Sequence, residues 1–298
     1  MTGYTTRRIP GVGGAELVCD VWDPALGQQQ KPPGVLLVHG LASNARLYDG
    51  VAERLARAGR AVAAIDLRGH GRSGKPDTGY DYESMCGDVV AVLEALVLDP
   101  GEGFSRAVLV GQSFGGNLVL ELAARWPERI AGIACIDGGT IDLRAGHSSW
   151  EKAAADLAPP KIAGARYEVV AARLRAAHPD WPETGISGSL ANFEVRADGT
   201  VAPWLTLDRH MQILRTMWDS PPAGLYAGIH VPVLLLPAES PGAPAGWAAG
   251  KREAVNNALA GIERAEVHWF SPADHDVHAQ YPDEVAAVLL EALQRLFV

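Results

Sequence analysis

The stretch Val108-Leu109-Val110-Gly111-Gln112-Ser113-Phe114-Gly115-Gly116 holds a serine with a glycine two residues to either side, directly after a short apolar run. The run suits a buried strand and positions 117–125 read as a helix, so Ser113 falls at the apex of a strand–turn–helix unit. A serine at such an apex sits in a strained backbone conformation, where side chains at the flanking positions would collide; Gly111 and Gly115 remove them. The turn also aims a helix N-terminus, which favours negative charge, at the hydroxyl. That is the arrangement of a nucleophile, although Gly-x-Ser-x-Gly alone also occurs in turns that do no chemistry.

Two other glycine-rich signals fit less well. Gly69-His70-Gly71-Arg72-Ser73-Gly74 matches G-x-G-x-x-G, but Lys75-Pro76-Asp77-Thr78-Gly79 follows it as loop, where a dinucleotide fingerprint needs an opening helix. Read as a phosphate-binding loop, the stretch places Pro76 where a magnesium-binding Ser or Thr must stand. His275-Asp276-Val277-His278 is the nearest approach to metal-ligand spacing, and no resident metal or cofactor is expected.

The elements around Ser113 alternate. Positions 15–22 and 34–40 read as strands, 44–59 as a helix, 61–66 as a strand, 82–98 as a helix and 130–137 as a strand. This order implies a mostly parallel sheet with helices on both faces. Between positions 138 and 229 the rhythm breaks into helix-like pieces (150–157, 167–177, 207–218) and a hairpin centred on Asp198-Gly199. Strand and helix patterns then resume at 231–236, 251–259, 265–270 and 282–297, with a Gly/Pro/Ala-rich loop expected over 237–250. The expected division is a core of 1–139 and 230–298 interrupted by a mainly helical cap, 140–229. Four of the eight tryptophans fall in that insertion, and Trp150, Trp204 and Trp218 are candidates for a substrate-facing wall.

With 298 residues, 48% of them hydrophobic, the chain can bury a large core. Its net charge of −9 and lack of basic runs argue against nucleic acid and anionic membranes as partners. Three scattered cysteines make neither a disulfide framework nor a metal site, and no leader-like or membrane-spanning apolar run is present. A cytoplasmic protein, monomeric or homodimeric, acting on a small molecule is the expectation.

In combination, His39-Gly40-Leu41, 66–73, 111–116, 273–278 and Tyr281-Pro282-Asp283-Glu284 give the chain a resemblance to α/β-hydrolase fold enzymes of the lipase, esterase and haloperoxidase-like type. The resemblance implies an eight-stranded sheet with the cap between its sixth and seventh strands, and it supplies partners for Ser113. His275, in the loop after the last strand, is the candidate base. The backbone N–H groups of Leu41 and Phe114 are the candidate oxyanion donors.

The acid departs from the commoner pattern, because the ending after the seventh strand reads Ala238-Glu239-Ser240-Pro241, with proline where the acid usually stands. The alternative family position, the end of the sixth strand, reads Ile136-Asp137-Gly138-Gly139. Asp137 is preferred and Glu239 is kept as the alternative. A serine nucleophile implies acyl-enzyme chemistry, with a carboxylic ester or lactone as the expected substrate, and the aromatic content of the cap suggests that its acyl or ring part is mostly apolar. The alternatives are acyl transfer or carbon–carbon bond hydrolysis on the same triad, or a ligand receptor of the same fold that has lost turnover.

Overall fold

The computed structural model describes residues 3–23, 33–96 and 106–297. Most of the expected polar connector at 25–33 and the last two positions of the expected 82–98 helix lie outside the described residues. The core opens with β1 (Thr5–Pro10), β2 (Glu16–Trp22), β3 (Gly34–Val38), α1 (Asp49–Arg57), β4 (Val62–Asp66) and α2 (Tyr82–Ala95). It continues with β5 (Ala107–Gln112), α3 (Phe114–Arg125) and β6 (Ile130–Ile136).

The inserted region holds α4 (Leu143–Gly146), α5 (Trp150–Asp156), α6 (Tyr167–Ala177), α7 (Glu183–Leu190), the hairpin β7 (Phe193–Val195) and β8 (Val201–Pro203), and α8 (Leu207–Asp219). The chain then returns through β9 (Val233–Leu236), α9 (Ala245–Gly261), β10 (Ala265–Val267), α10 (Val277–Gln280) and α11 (Pro282–Arg295).

Eight strands form one sheet in the order β1-β2-β4-β3-β5-β6-β9-β10. Only the β1–β2 and β2–β4 pairings are antiparallel; every other neighbour is parallel. The continuous apolar strands follow from cover on both faces. In β3, Leu36 and Val38 enter one core with α2 and α3, while Val35 and Leu37 enter the other with α1 and α11. All four are fully buried, and full burial of each is worth about 1.5–3 kcal/mol.

The 66–73 loop is a buried ionic turn. Asp66 accepts from the N–H groups of Ala45 and Arg72 and from the Arg72 guanidinium, which also pairs with Asp20. Arg68 forms a two-pronged pair with Asp88, both side chains being almost fully buried. Gly71 has φ 43, and a Cβ there would stand 2.5 Å from Asp66 Cγ. Its glycines therefore serve a tight carboxylate-centred turn.

The inserted region is helical, with a small core of its own formed by Val170, Trp181, Ile186, Leu190 and Val201 against Leu47 and Ala279. Helix α7 was not expected from its sequence, Glu-Thr-Gly-Ile-Ser-Gly-Ser-Leu. Its glycines permit close docking: a Cβ at Gly185 would lie 2.7 Å from the Ala279 carbonyl oxygen, and one at Gly188 2.7 Å from Leu47 Cα. The expected loop 237–250 is also corrected, because the helix expected from Lys251 begins at Ala245. Pro244 immediately precedes it, where proline's fixed φ and missing N–H suit a helix start.

Candidate active site

Ser113 takes φ 54 and ψ −120 between β5 and α3, and its side chain stays partly exposed. The strain is held by glycine on both sides: a Cβ at Gly111 would lie 2.1 Å from the Gly115 carbonyl oxygen. One at Gly115 would lie 2.4 Å from the Val38 oxygen and 2.5 Å from the His39 oxygen. These are backbone contacts that cannot swing away. The Ser113 N–H donates to the Ile136 carbonyl at 2.9 Å, extending the β5–β6 pairing to the serine itself.

That pairing sets Asp137 one residue past β6, at φ 41, where the chain leaves the sheet. The next residue must be small, since a Cβ at Gly138 would meet the Ser113 carbonyl oxygen at 2.3 Å. Asn117 of α3 fixes the onward loop, accepting from Gly139 N–H at 2.9 Å and donating to the Ile141 carbonyl at 2.8 Å. Asp137 is 7% exposed. Its Oδ2 accepts from His275 Nδ1 at 2.6 Å, and its Oδ1 accepts from the Ala238 N–H at 3.0 Å.

Glu239 takes no part in that contact. Its carboxylate pairs with Arg252 at 2.5 Å, while its main chain steadies the His275 loop by donating to Phe270 and accepting from Ala273, each at 2.9 Å. The ring of His275 therefore meets Asp137 and not Glu239.

Two further residues, unremarkable in the sequence, complete the surroundings. Gln112 donates to the His275 carbonyl at 3.3 Å, and its Oε1 lies where a Cβ on Gly40 would be (2.3 Å), so one side chain touches both flanking loops. Lys251 of α9 donates to both Asp137 oxygens, at 2.8 and 2.9 Å. Gln112 is the neighbour of Ser113 in the motif itself, whereas no spacing rule links Lys251 to Ser113; the packing of α9 beside the end of β6 brings it in.

The loop after β3 is braced by two neutral histidines. His39 Nδ1–H donates to the Gly40 carbonyl at 2.7 Å, and Nε2 accepts from Leu67 N–H at 3.0 Å. His70 Nδ1–H donates to the Arg68 carbonyl at 2.9 Å, and Nε2 accepts from Ala42 N–H at 3.3 Å. Burial pushes their pKa values down to about 4 and about 3. Neither the Leu41 nor the Phe114 N–H donates to an acceptor among the described residues, and Phe114 opens α3. Both donors are thus free for a ligand oxygen.

Desolvation alone would raise the Asp137 carboxyl, but the hydrogen bond and charge of His275, with those of Lys251, hold it below the usual aspartate value. For His275 the surrounding protein pulls downward. The Asp137 hydrogen bond and the Asp276 and Asp137 charges overcome that pull, so the ring titrates above its ordinary value. His278 lies fully buried against Tyr48, 4.5 Å between ring centres, with burial lowering it to about 3.

Trp150 and Trp218 pack edge to face at 6.2 Å, only partly buried. Trp204 instead lines a cavity of about 220 Å³ with Arg46, Arg72 and Phe193, which Ser113, Asp137 and His275 do not border. Among the described residues no group of His, Cys, Asp or Glu is placed to hold a metal ion, and no helix is long and apolar enough to cross a membrane.

The model of the Alpha/beta hydrolase family matches residues 35–288. Over 118 residues the chain is 39% identical to a monoacylglycerol lipase of Mycolicibacterium smegmatis, covering 39% of this chain and 40% of that protein. Such matches span about two fifths of the length of the curated relatives. A solved E-2-(acetamidomethylene)succinate hydrolase superposes with TM-score 0.74 at 22% identity, covering 98% of this chain and 99% of that one. The enol-lactonase of Burkholderia xenovorans gives 0.66 at 19%, covering 98% and 100%.

Proposed function

The chain belongs to the alpha/beta hydrolase family, and from that premise we propose that it is a serine hydrolase cleaving a carboxylic ester or lactone through an acyl-enzyme on Ser113. The observation that carries this reading is the strained Ser113 turn next to the His275–Asp137 hydrogen bond of 2.6 Å, with two uncommitted backbone N–H groups alongside.

The chemistry follows from those groups. His275 Nδ1–H is committed to Asp137, so Nε2 is the ring nitrogen that takes the proton of Ser113 Oγ as it attacks the acyl carbon. The resulting imidazolium is stabilised by the Asp137 carboxylate. The oxyanion is received by the N–H groups of Leu41 and Phe114, each worth roughly 3 kcal/mol. His275 then gives its proton to the leaving alkoxide, and water, deprotonated by the same nitrogen, releases the acid.

An apolar acyl part is supported by Leu41, Ile141, Trp150, Met211 and Trp218, all left partly uncovered against the core that contains Phe114. In this reading 140–229 is the cap over a core of 1–139 and 230–298. The three free, buried cysteines fit a cytoplasmic setting. The relatives' named activities, lipase, amide-bearing succinate hydrolase and lactonase, fall within acyl chemistry.

Turnover of short-chain p-nitrophenyl esters and simple lactones by wild type and Ser113→Ala tests the reading. Hydrolysis abolished in Ser113→Ala supports it, and undiminished hydrolysis in that variant contradicts it. Products formed with added alcohol or amine would move the assignment to acyl transfer, and ligand binding without turnover would move it to a receptor.

A further inference from the structure

Lys251 is the one cation in contact with the Asp137 carboxylate among the described residues apart from the His275 ring. Its side chain is 18% exposed, and its ammonium donates to three acceptors: Asp137 Oδ1 at 2.8 Å, Asp137 Oδ2 at 2.9 Å and the Ala238 carbonyl at 2.8 Å. That exhausts its three protons. The carboxylate is correspondingly filled, Oδ1 by Lys251 and Ala238 N–H, Oδ2 by Lys251 and His275.

The neighbours of the lysine on the same helix make surface contacts. The Trp247 ring lies 4.9 Å from the ammonium, and Arg252 pairs with Glu239 while lying over Trp269. A helix needs no partly buried lysine to pack there; an aliphatic side chain of the same length would avoid desolvating an ammonium.

We infer that Lys251 is a positioning residue for the reaction proposed above: it fixes the Asp137 carboxylate by both oxygens and partly neutralises it, which limits that carboxylate's hold on the His275 proton. The inference deepens that hydrolase reading and rests on it. The charged and titratable groups around His275 make the balance plain. Asp137 from the end of β6 and the adjacent Asp276 favour the imidazolium, and Lys251 from α9 opposes it. Asp276 itself faces Asp274 and His178 of the inserted region, while the neutral His278 follows one turn on. Without the lysine the two carboxylates would pull the ring further upward.

The test compares wild type with Lys251→Met and Lys251→Arg as full chains. The readouts are the pH profile of kcat/KM on a p-nitrophenyl ester and the NMR titration of the His275 ring. With the charge removed, the acid limb and the ring titration both move upward by about one pH unit; with arginine they stay within about 0.3 unit. A merely structural lysine would lower thermal stability or kcat while leaving both midpoints in place, and that result overturns the inference. Should Lys251→Met fail to fold, Lys251→Gln removes the same charge and keeps a donor for Asp137. Absence of ester turnover in the wild type would count against the hydrolase reading, whereas the ring titration would still decide the role of Lys251.

Discussion

Replacing Asp137 by asparagine tests the proposed relay at its least redundant point. The substitution keeps the shape of the side chain and removes its charge, so Nδ1 of His275 no longer faces an obligate acceptor. An amide there can present its NH2 to the ring, favouring the tautomer in which Nε2 carries the proton and cannot accept another. The expected fall in kcat is about 10³- to 10⁴-fold, equivalent to roughly 4–5.5 kcal/mol of barrier. Stability falls too, because Lys251 loses a charged partner at 18% exposure and keeps only the Ala238 carbonyl and an amide oxygen. Stranding a buried ion costs about 3–5 kcal/mol, and partial exposure brings this to about 2–3. For a chain of this length that is a fall in Tm of roughly 4 °C. Glu239→Gln serves as the comparison. Glu239 pairs with an Arg252 whose side chain is 56% exposed, so the change costs under about 1 kcal/mol and leaves kcat within about twofold. Steady-state kinetics on a p-nitrophenyl ester and thermal melts of both variants provide the comparison. A hundredfold loss in Glu239→Gln, with Asp137→Asn within tenfold of wild type, would refute the reasoning and move the acid to β9.

Two pH dependences follow from the electrostatics. Because the His275 pKa is raised from 6.5, the acid limb of kcat/KM is expected to have its midpoint above pH 6.5, with activity lost as the ring takes a proton; a midpoint below 6 would contradict the Asp137 contact. Stability responds through different rings. His39, His70 and His278 are held neutral down to about 4, 3 and 3, whereas in the unfolded chain they protonate near 6.5. The unfolded state therefore binds more protons below pH 6.5, and each ring costs about 1.4 kcal/mol per pH unit until its folded pKa is reached. His275 has the opposite sign, since its raised pKa contributes stability that is fully present below 6.5 and lost above it. Three rings outweigh one, so urea midpoints are expected to fall steadily from pH 6.5 to 5, and an unchanged midpoint would count against the buried neutral histidines.

Much of the fold is legible in the sequence because its strands are buried on both faces. Runs such as 34–38 and 107–112 stand out without any need for alternation. The Ser113 turn is legible for a related reason, since only glycines tolerate the approach of backbone to backbone around it. What escapes is governed by packing. Helix α7 has weak helical propensity and is held by glycine-mediated contact with the core. The start of α9 looks like a loop because Pro, Gly and Ala dominate its approach, and with that start lost, nothing points to Lys251. The choice between Asp137 and Glu239 is likewise a matter of where two loops end in space. Their loops are neighbours, Asp137 N–H donating to the Leu236 carbonyl and Ala238 N–H to the Asp137 carboxylate, yet the two carboxylates face different cations.

Covalent labelling by a fluorophosphonate tests the central claim most directly, because it reads the nucleophile without knowledge of the natural substrate. Intact-mass analysis is expected to show one adduct per wild-type chain, mapped to Ser113 by peptide sequencing, with none in Ser113→Ala and a greatly slowed reaction in His275→Ala. An adduct on another residue, equal labelling of Ser113→Ala, or a wild-type chain inert to the reagent would contradict a His275-activated Ser113.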